Sequence, residues 1–261
     1  MLEFALPPLF AVFIWWFGTG VVMLLDGQPR AHRRWSLAVS SAIASGALVC
    51  IARSADNTTT AGAYAGFTCA VLVWGWHELT FLSGWLTGPR QCDCSAPAHE
   101  ATRFVEAVQV ILWHELALLA MLGAIVALTW GHANPVAAWT FGLLWVMRLS
   151  AKLNLFLGVR NLGEEFLPAH LKYLRSYFHQ RRMNALLPLS VLGGLAVALL
   201  LVLQAIDGSG AARIGALLVA SLLLLAVAEH LLLVLPLPPT ALWRWALRET
   251  PPAAPASVAA P

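Results

Sequence analysis

The sequence predicts an all-α membrane protein, a polytopic bundle of about seven transmembrane helices, and three observations predict it. Of its 261 residues, 59% are hydrophobic and only 11% are charged, where a soluble domain has roughly a quarter charged. Seven apolar runs approach the length of about 20 residues that crosses a bilayer's hydrocarbon. Lysine and arginine collect in alternate connections, which sets a direction across the membrane.

The runs are 6–25, 36–53, 60–83, 106–130, 135–157, 185–205 and 212–235. The first has no basic region before it and no small-residue cleavage site, so it reads as a retained span and not a signal peptide. The second is short and rich in Ala and Ser. Polar or turn-forming stretches, such as DGQPRAHRR, RSADNTT, GHANP and DGSGAAR, part the runs. The 12 Trp suit the headgroup boundary, where an apolar ring and a polar N–H are both accommodated.

Direction follows from the cations. With the amino end outside and the carboxyl end inside, the inner segments hold twelve: Arg30, Arg33, Arg34, Arg90, Arg103, Arg160, Lys172, Arg175, Arg181, Arg182, Arg244 and Arg248. The outer segments hold Arg53 and Arg213 alone. The long inner connection, 160–184, repeats Leu171, Leu174 and Phe178 among basic residues. It reads either as a basic amphipathic helix along the inner membrane face or as a solvated linking helix. Residues 1–249 form one transmembrane domain, and the Pro/Ala-rich stretch 250–261 reads as a disordered tail.

Charged groups inside the runs carry the chemical information, because hydrocarbon rejects a lone ionisable side chain. Trp76-His77-Glu78-Leu79 in the third run returns as Trp113-His114-Glu115-Leu116 in the fourth. The seventh holds Glu229-His230, and the fifth holds Arg148, Lys152 and Asn154. At 1.5 Å rise per residue, His77, Glu78, Glu229 and His230 lie about 8–9 Å from the inner ends of their runs, and His114 and Glu115 about 12 Å. They share one layer in the cytoplasmic half.

Three uses of this layer stay open. Arg148 and Lys152 can neutralise carboxylates and lock helices together, with His donating across interfaces. His77, His114 or His230, with Arg148, Lys152 and Asn154, can hold a cofactor, a His nitrogen serving as axial ligand to a bacteriochlorophyll or haem-like tetrapyrrole. His77, Glu78, His114, Glu115, Glu229 and His230 can hold a metal such as iron. A proton path is a lesser variant. No H-E-x-x-H and no repeated His boxes occur.

Elsewhere the plainer reading leads. Trp15, Trp16, Trp74 and Trp113 read as interfacial or packing residues before pigment-stacking ones. His132 reads as solvated, and His170 and His179 as surface residues with lipid or partner contacts behind. Gly18, Gly20, Gly193 and Gly194 read as points of close helix approach. Cys50 and Cys69 lie in apolar runs, and the Cys92-x-Cys94 pair is weak evidence for a metal. A net charge of +3 gives nucleic acid no support as a partner.

The stretches FIWWFGTGVVMLLDGQPRAHRRW, WGWHELTFLSGWLTGPR, WHELALL, WVMRLSAKLNLFLGVRNLGEEFLPAHLKYLRSYF and RRMNALLPLS resemble the PuhE family, photosynthetic complex assembly protein 2 of anoxygenic phototrophic bacteria. The similarity covers nearly the whole chain apart from the tail. It implies a multi-pass protein of the bacterial inner membrane that helps reaction-centre or light-harvesting complexes form, with their subunits and membrane lipid as partners. The family's marked positions fall here on Trp76, His77, Glu78, Trp113, His114, Glu115, Arg148, Lys152, Asn154, Asn161, Glu164, Glu165, His170 and Tyr173. It implies no catalytic mechanism. The alternative is a membrane-embedded metal- or cofactor-dependent enzyme acting on bacteriochlorophyll, carotenoid or quinone intermediates.

Overall fold

The computed structural model describes residues 2–28, 30–95, 99–235, 243 and 245–246, with only the backbone of Arg30 and Ala31. The 250–261 tail, with Arg244 and Arg248, lies outside the described residues. Seven long helices follow one another: α1 (Leu2–Asp26), α2 (Arg30–Arg53), α3 (Thr60–Leu82), α4 (Glu100–Thr129), α5 (Val136–Leu157), α6 (Leu186–Asp207) and α7 (Gly210–Leu232). Among the described residues there is no strand beyond one isolated bridge between Val159 and Gln180.

Six of these helices are long and apolar enough to cross a membrane, and the chain is a multi-pass membrane protein. The exception is α3, which falls short on apolarity and not on length: it has 23 residues and carries the Trp-His-Glu motif. Its position accounts for its polarity. It packs against α1, α2, α5 and α7, so protein rather than lipid surrounds it. Ala70, Val73 and Cys69 meet Ile51 of α2, Leu118 and Ile125 of α4, and Phe141 of α5 in one apolar cluster. Of the six, α7 is the most enclosed.

The connections sort to two ends. At one, Asn134 Nδ2 donates to the carbonyls of Ser54 (3.1 Å) and Gly62 (3.0 Å), and Arg213 reaches Glu3 at 2.9 Å. At the other, the cation-rich connections meet. Arg90 Nε donates to Tyr177 Oη at 2.8 Å. Arg103 Nη1 donates to the Tyr177 carbonyl at 2.9 Å, its guanidinium 3.8 Å above the Phe156 ring.

The 160–184 connection departs from the expected amphipathic α-helix. It forms 3-10 turns at Glu164–Phe166 and Ala169–Tyr177. A 3-10 helix stacks side chains every third residue, and Leu171, Leu174 and Tyr177 are the ones buried. They pack against Phe81 of α3 and Val110 of α4, so the segment's apolar stripe caps the bundle. Phe178, which helical spacing put on that stripe, sits at its edge.

Of the four glycines expected at close approaches, two are. A side chain at Gly194 would meet Val227 Cγ2 at 2.6 Å, and one at Gly20 would enter the Trp245 ring, whereas Gly18 and Gly193 have nothing within 4 Å among the described residues.

Candidate functional site

By hydrogen bond and ion pair the charged and polar residues of the helices fall into three clusters, of which the first two lie within each other's field. In the first, Arg148 Nη2 of α5 donates to Glu78 Oε2 of α3 at 3.0 Å. Trp15 Nε1 of α1 donates to Glu229 Oε1 of α7 at 3.0 Å. Arg148 lies in the combined field of Glu78 and Glu229. Its side chain is nonetheless 42% exposed.

In the second, Lys152 Nζ of α5 meets Glu115 Oε1 of α4 at 2.5 Å, and Trp145 Nε1 donates to the other oxygen at 3.2 Å. The ammonium stands 5.3 Å from the centre of the Phe81 ring. These two clusters bear out the reading in which Arg148 and Lys152 neutralise carboxylates between helices.

In the third, Ser150 Oγ of α5 lies 2.9 Å from His230 Nε2 of α7 and donates to Ser190 Oγ of α6 at 2.8 Å. His230 Nδ1 reaches the Ala226 carbonyl at 2.8 Å. Asn154 Nδ2 donates to the Ser150 carbonyl (2.9 Å) and to Ser190 Oγ (3.3 Å). His230 and Asn154 are therefore occupied in joining three helices. Ser150 and Ser190 escaped the sequence reading, although a serine in a span commonly bonds across an interface.

His77 and His114 make no hydrogen bond to any of the three among the described residues, although His114 shares the Phe81 ring with Lys152. They are 1% and 0% exposed, and among the described residues none of their four ring nitrogens has a hydrogen-bond partner. The His77 ring lies edge-on to Trp76 at 4.8 Å and 6.0 Å from Phe141, and the His114 ring lies 4.5 Å from Phe81. The backbone holds His114 in an unusual way. The chain after α3 turns back so that Thr87 O accepts from His114 N at 2.9 Å. Gly88 makes the approach possible, since a Cβ there would lie 1.9 Å from Gln109 O and 2.5 Å from Val110 C.

This geometry bears on the cofactor and metal expectations. An axial ligand must turn a ring nitrogen toward a space that admits a macrocycle. His77 and His114 are enclosed by aromatic rings and backbone, and His230 has both nitrogens engaged. His77, Glu78, His114, Glu115, Glu229 and His230 are not drawn into one ligand shell among the described residues. The carboxylates are turned to Arg148, Lys152 and two indoles, and among the described residues no group of three or more His, Cys, Asp or Glu is placed to hold a metal ion. Adjacent residues on a helix point about 100° apart, which is why each His-Glu pair sends its members to different neighbours.

Other expectations resolve individually. Trp15 belongs to the polar layer through Glu229, Trp74 packs edge-on to Phe141 at 5.4 Å, and Trp113 faces outward, 50% exposed. His132 is not simply solvated: its Nδ1 lies 2.9 Å from Asp56 Oδ1, and that hydrogen bond holds the Asp56 carboxyl below its ordinary range. His170 Nε2 reaches the Leu82 carbonyl at 2.8 Å. His179 is half-buried, and burial pushes its imidazole down. Cys94 N donates to Ser176 Oγ at 2.8 Å, and burial pushes its thiol up.

Comparison with known proteins adds the following. Residues 1–254 match a family described as "Protein of unknown function (DUF3623)". Over 247 residues the chain is 38% identical to an "Uncharacterized 30.4 kDa protein in puhA 5'region" of Rhodobacter capsulatus, a match covering 93% of this chain and 90% of that protein. No solved structure matches.

Proposed function

The chain belongs to the DUF3623 family, and from that premise we propose that it is a non-enzymatic assembly factor for bacterial photosynthetic complexes, seated in the inner membrane and equivalent to the PuhE proteins. The name of its relative, which refers to the region before the photosynthesis gene puhA, supports this context. In this reading α3 is the seventh span, the amino end faces outward, and the cation-rich end with the 3-10 turns faces the cytoplasm.

One observation carries the reading. Arg148 lies nine residues before the end of α5, about 13 Å along the helix at 1.5 Å per residue. At that depth 42% of the Arg148 side chain is accessible, although Glu78 is bonded to its guanidinium. Glu229, in the same layer, is also exposed. Hydrocarbon rejects such groups, and intramembrane ions ordinarily face protein or a ligand. A client helix of a reaction-centre or light-harvesting subunit, or a pigment it carries, covers Arg148 and Glu229 while the complex forms. Any pigment sits on this accessible face and not between His77 and His114.

The test is gentle affinity purification from phototrophic membranes, with Arg148→Met and Arg148→Lys beside the parent chain. Complex subunits accompany the parent and, in part, Arg148→Lys, but not Arg148→Met. If neither subunits nor pigments accompany the parent chain, and its deletion leaves reaction-centre levels unchanged, the proposal fails.

A further inference from the structure

Beyond the bundle interior, the cation-rich end holds a cavity of about 630 Å³ lined by Arg160, Gln180, Arg181, Arg182 and Val234. Three arginines come together there from two chain segments, and among the described residues none of their guanidinium groups is bonded to a carboxylate. Neighbouring cations differ. Arg175 has Glu164 at 2.5 Å, and Glu100, whose field reaches Arg181, is bonded to Arg103 at 3.0 Å.

The walls are built and not incidental. Val159 N donates to the His179 carbonyl at 3.1 Å and Arg181 N to the Val159 carbonyl at 3.0 Å, so the two arginine-bearing segments are bridged side by side. Asn161 N donates to the Leu233 carbonyl at 2.8 Å, and Asn161 Nδ2 to those of Leu232 (2.7 Å) and Leu235, which pins the floor to the end of α7. Gly158 has φ +118°, and a Cβ on it would lie 2.8 Å from Arg181 Cγ and Cδ. The Arg181 stem therefore lies across the glycine at the cavity wall.

Position selects the ligand. The cavity opens where α5 and α7 end and α6 is about to begin, at the limit of the apolar spans. Val234 forms part of its wall, and Leu157, Leu231, Met183 and Leu235, all exposed, flank the lining residues in sequence. Guanidinium groups grip phosphate oxygens bidentately, and a volume of this size suits a small polar group with part of a chain. We propose that this cavity binds the phosphodiester headgroup of an anionic phospholipid, whose acyl chains lie along the exposed leucines. The site is separate from the Arg148 layer and stands whether or not the chain assembles complexes.

The probes are dioctanoyl phosphatidylglycerol, dioctanoyl phosphatidylcholine and inorganic phosphate, each titrated against the purified full chain in neutral detergent and read by native mass spectrometry. Phosphatidylglycerol binds saturably, with affinity about tenfold or more above the other two, as charge-assisted bonds to arginine require. Arg160→Gln, Arg181→Gln and Arg182→Gln each weaken it by about tenfold, and the matching Lys replacements, which keep charge and fold, weaken it less. Phosphatidylcholine equal to phosphatidylglycerol overturns the proposal. Inorganic phosphate as tight as the lipid also overturns it, marking a site for a free anion. So does unchanged lipid binding in all three Gln variants; if any of these variants fails to fold by thermal melting, the Lys series decides by the same criterion.

Discussion

Lys152 Nζ stands 2.5 Å from Glu115 Oε1, and this contact ties α5 to α4 inside the bundle. The two side chains are only 16% and 18% exposed, so each ion is compensated by the other far more than by water. Removing one partner leaves the second buried and alone. Glu115→Gln therefore costs about 3 kcal/mol, while the apolar double replacement Lys152→Met with Glu115→Leu recovers most of that loss. Thermal unfolding in detergent measures both, and a double variant less stable than the single one contradicts the account.

That pair also shows how far the sequence could be read. Charged residues stand out in apolar runs, so interhelical pairing by Arg148 and Lys152 was legible as one of three uses of the layer. Rotation about each helix was not. Glu78 and Glu115 occupy equivalent places in two copies of one motif, yet Glu78 pairs with Arg148 and Glu115 with Lys152. The choice is made by how α3 and α4 pack on α5, which a 37-residue repeat does not encode. The 3-10 turns were hidden for a related reason: Leu171 and Leu174 fit periods of three and of 3.6 alike, and only burial of Tyr177 in place of Phe178 separates them.

His77 and His114 give a second prediction. A buried polar group without a partner costs about 1–3 kcal/mol, and an apolar replacement of similar shape removes that cost. With four unpaired ring nitrogens between them, His77→Leu and His114→Phe each raise stability or leave it unchanged. Were the rings held only for packing, assembly of photosynthetic complexes would survive as well. We expect stability and complex levels in phototrophic cells both to hold. A drop in melting temperature of several degrees in both variants would show that the nitrogens have partners after all.

Gly88 supplies a sharper structural test. Its neighbours at 1.9 Å and 2.5 Å from a Cβ position are backbone atoms of α4, which cannot swing aside as a side-chain tip can. Gly88→Ala therefore forces the 83–95 connection off α4, loses the Thr87 carbonyl as partner for His114 N, and costs about 3 kcal/mol or more by overpacking. Gly123→Ala is the control. It has nothing within 4 Å and lies within a helix, where alanine is favoured by about 0.5–1 kcal/mol. The two substitutions should move the melting temperature in opposite directions.

The direction of the chain across the membrane can be read from one natural thiol. Cys92 is exposed on the 83–95 connection, at the end where Arg90 meets Tyr177, whereas Cys69 is buried and Cys50 partly so. Cys94, one residue beyond Asp93, is half-buried, and burial pushes its thiol up, so less of it is thiolate at neutral pH. A maleimide that cannot cross the membrane, given to intact spheroplasts, should leave Cys92 unlabelled until the membrane is opened. Thr58→Cys, on the exposed turn between α2 and α3, should label at once. The reverse pattern would put the twelve cations of the inner segments outside, against the bias that fixes membrane orientation. It would also move the arginine cavity to the opposite leaflet, while leaving every contact within the bundle as it stands.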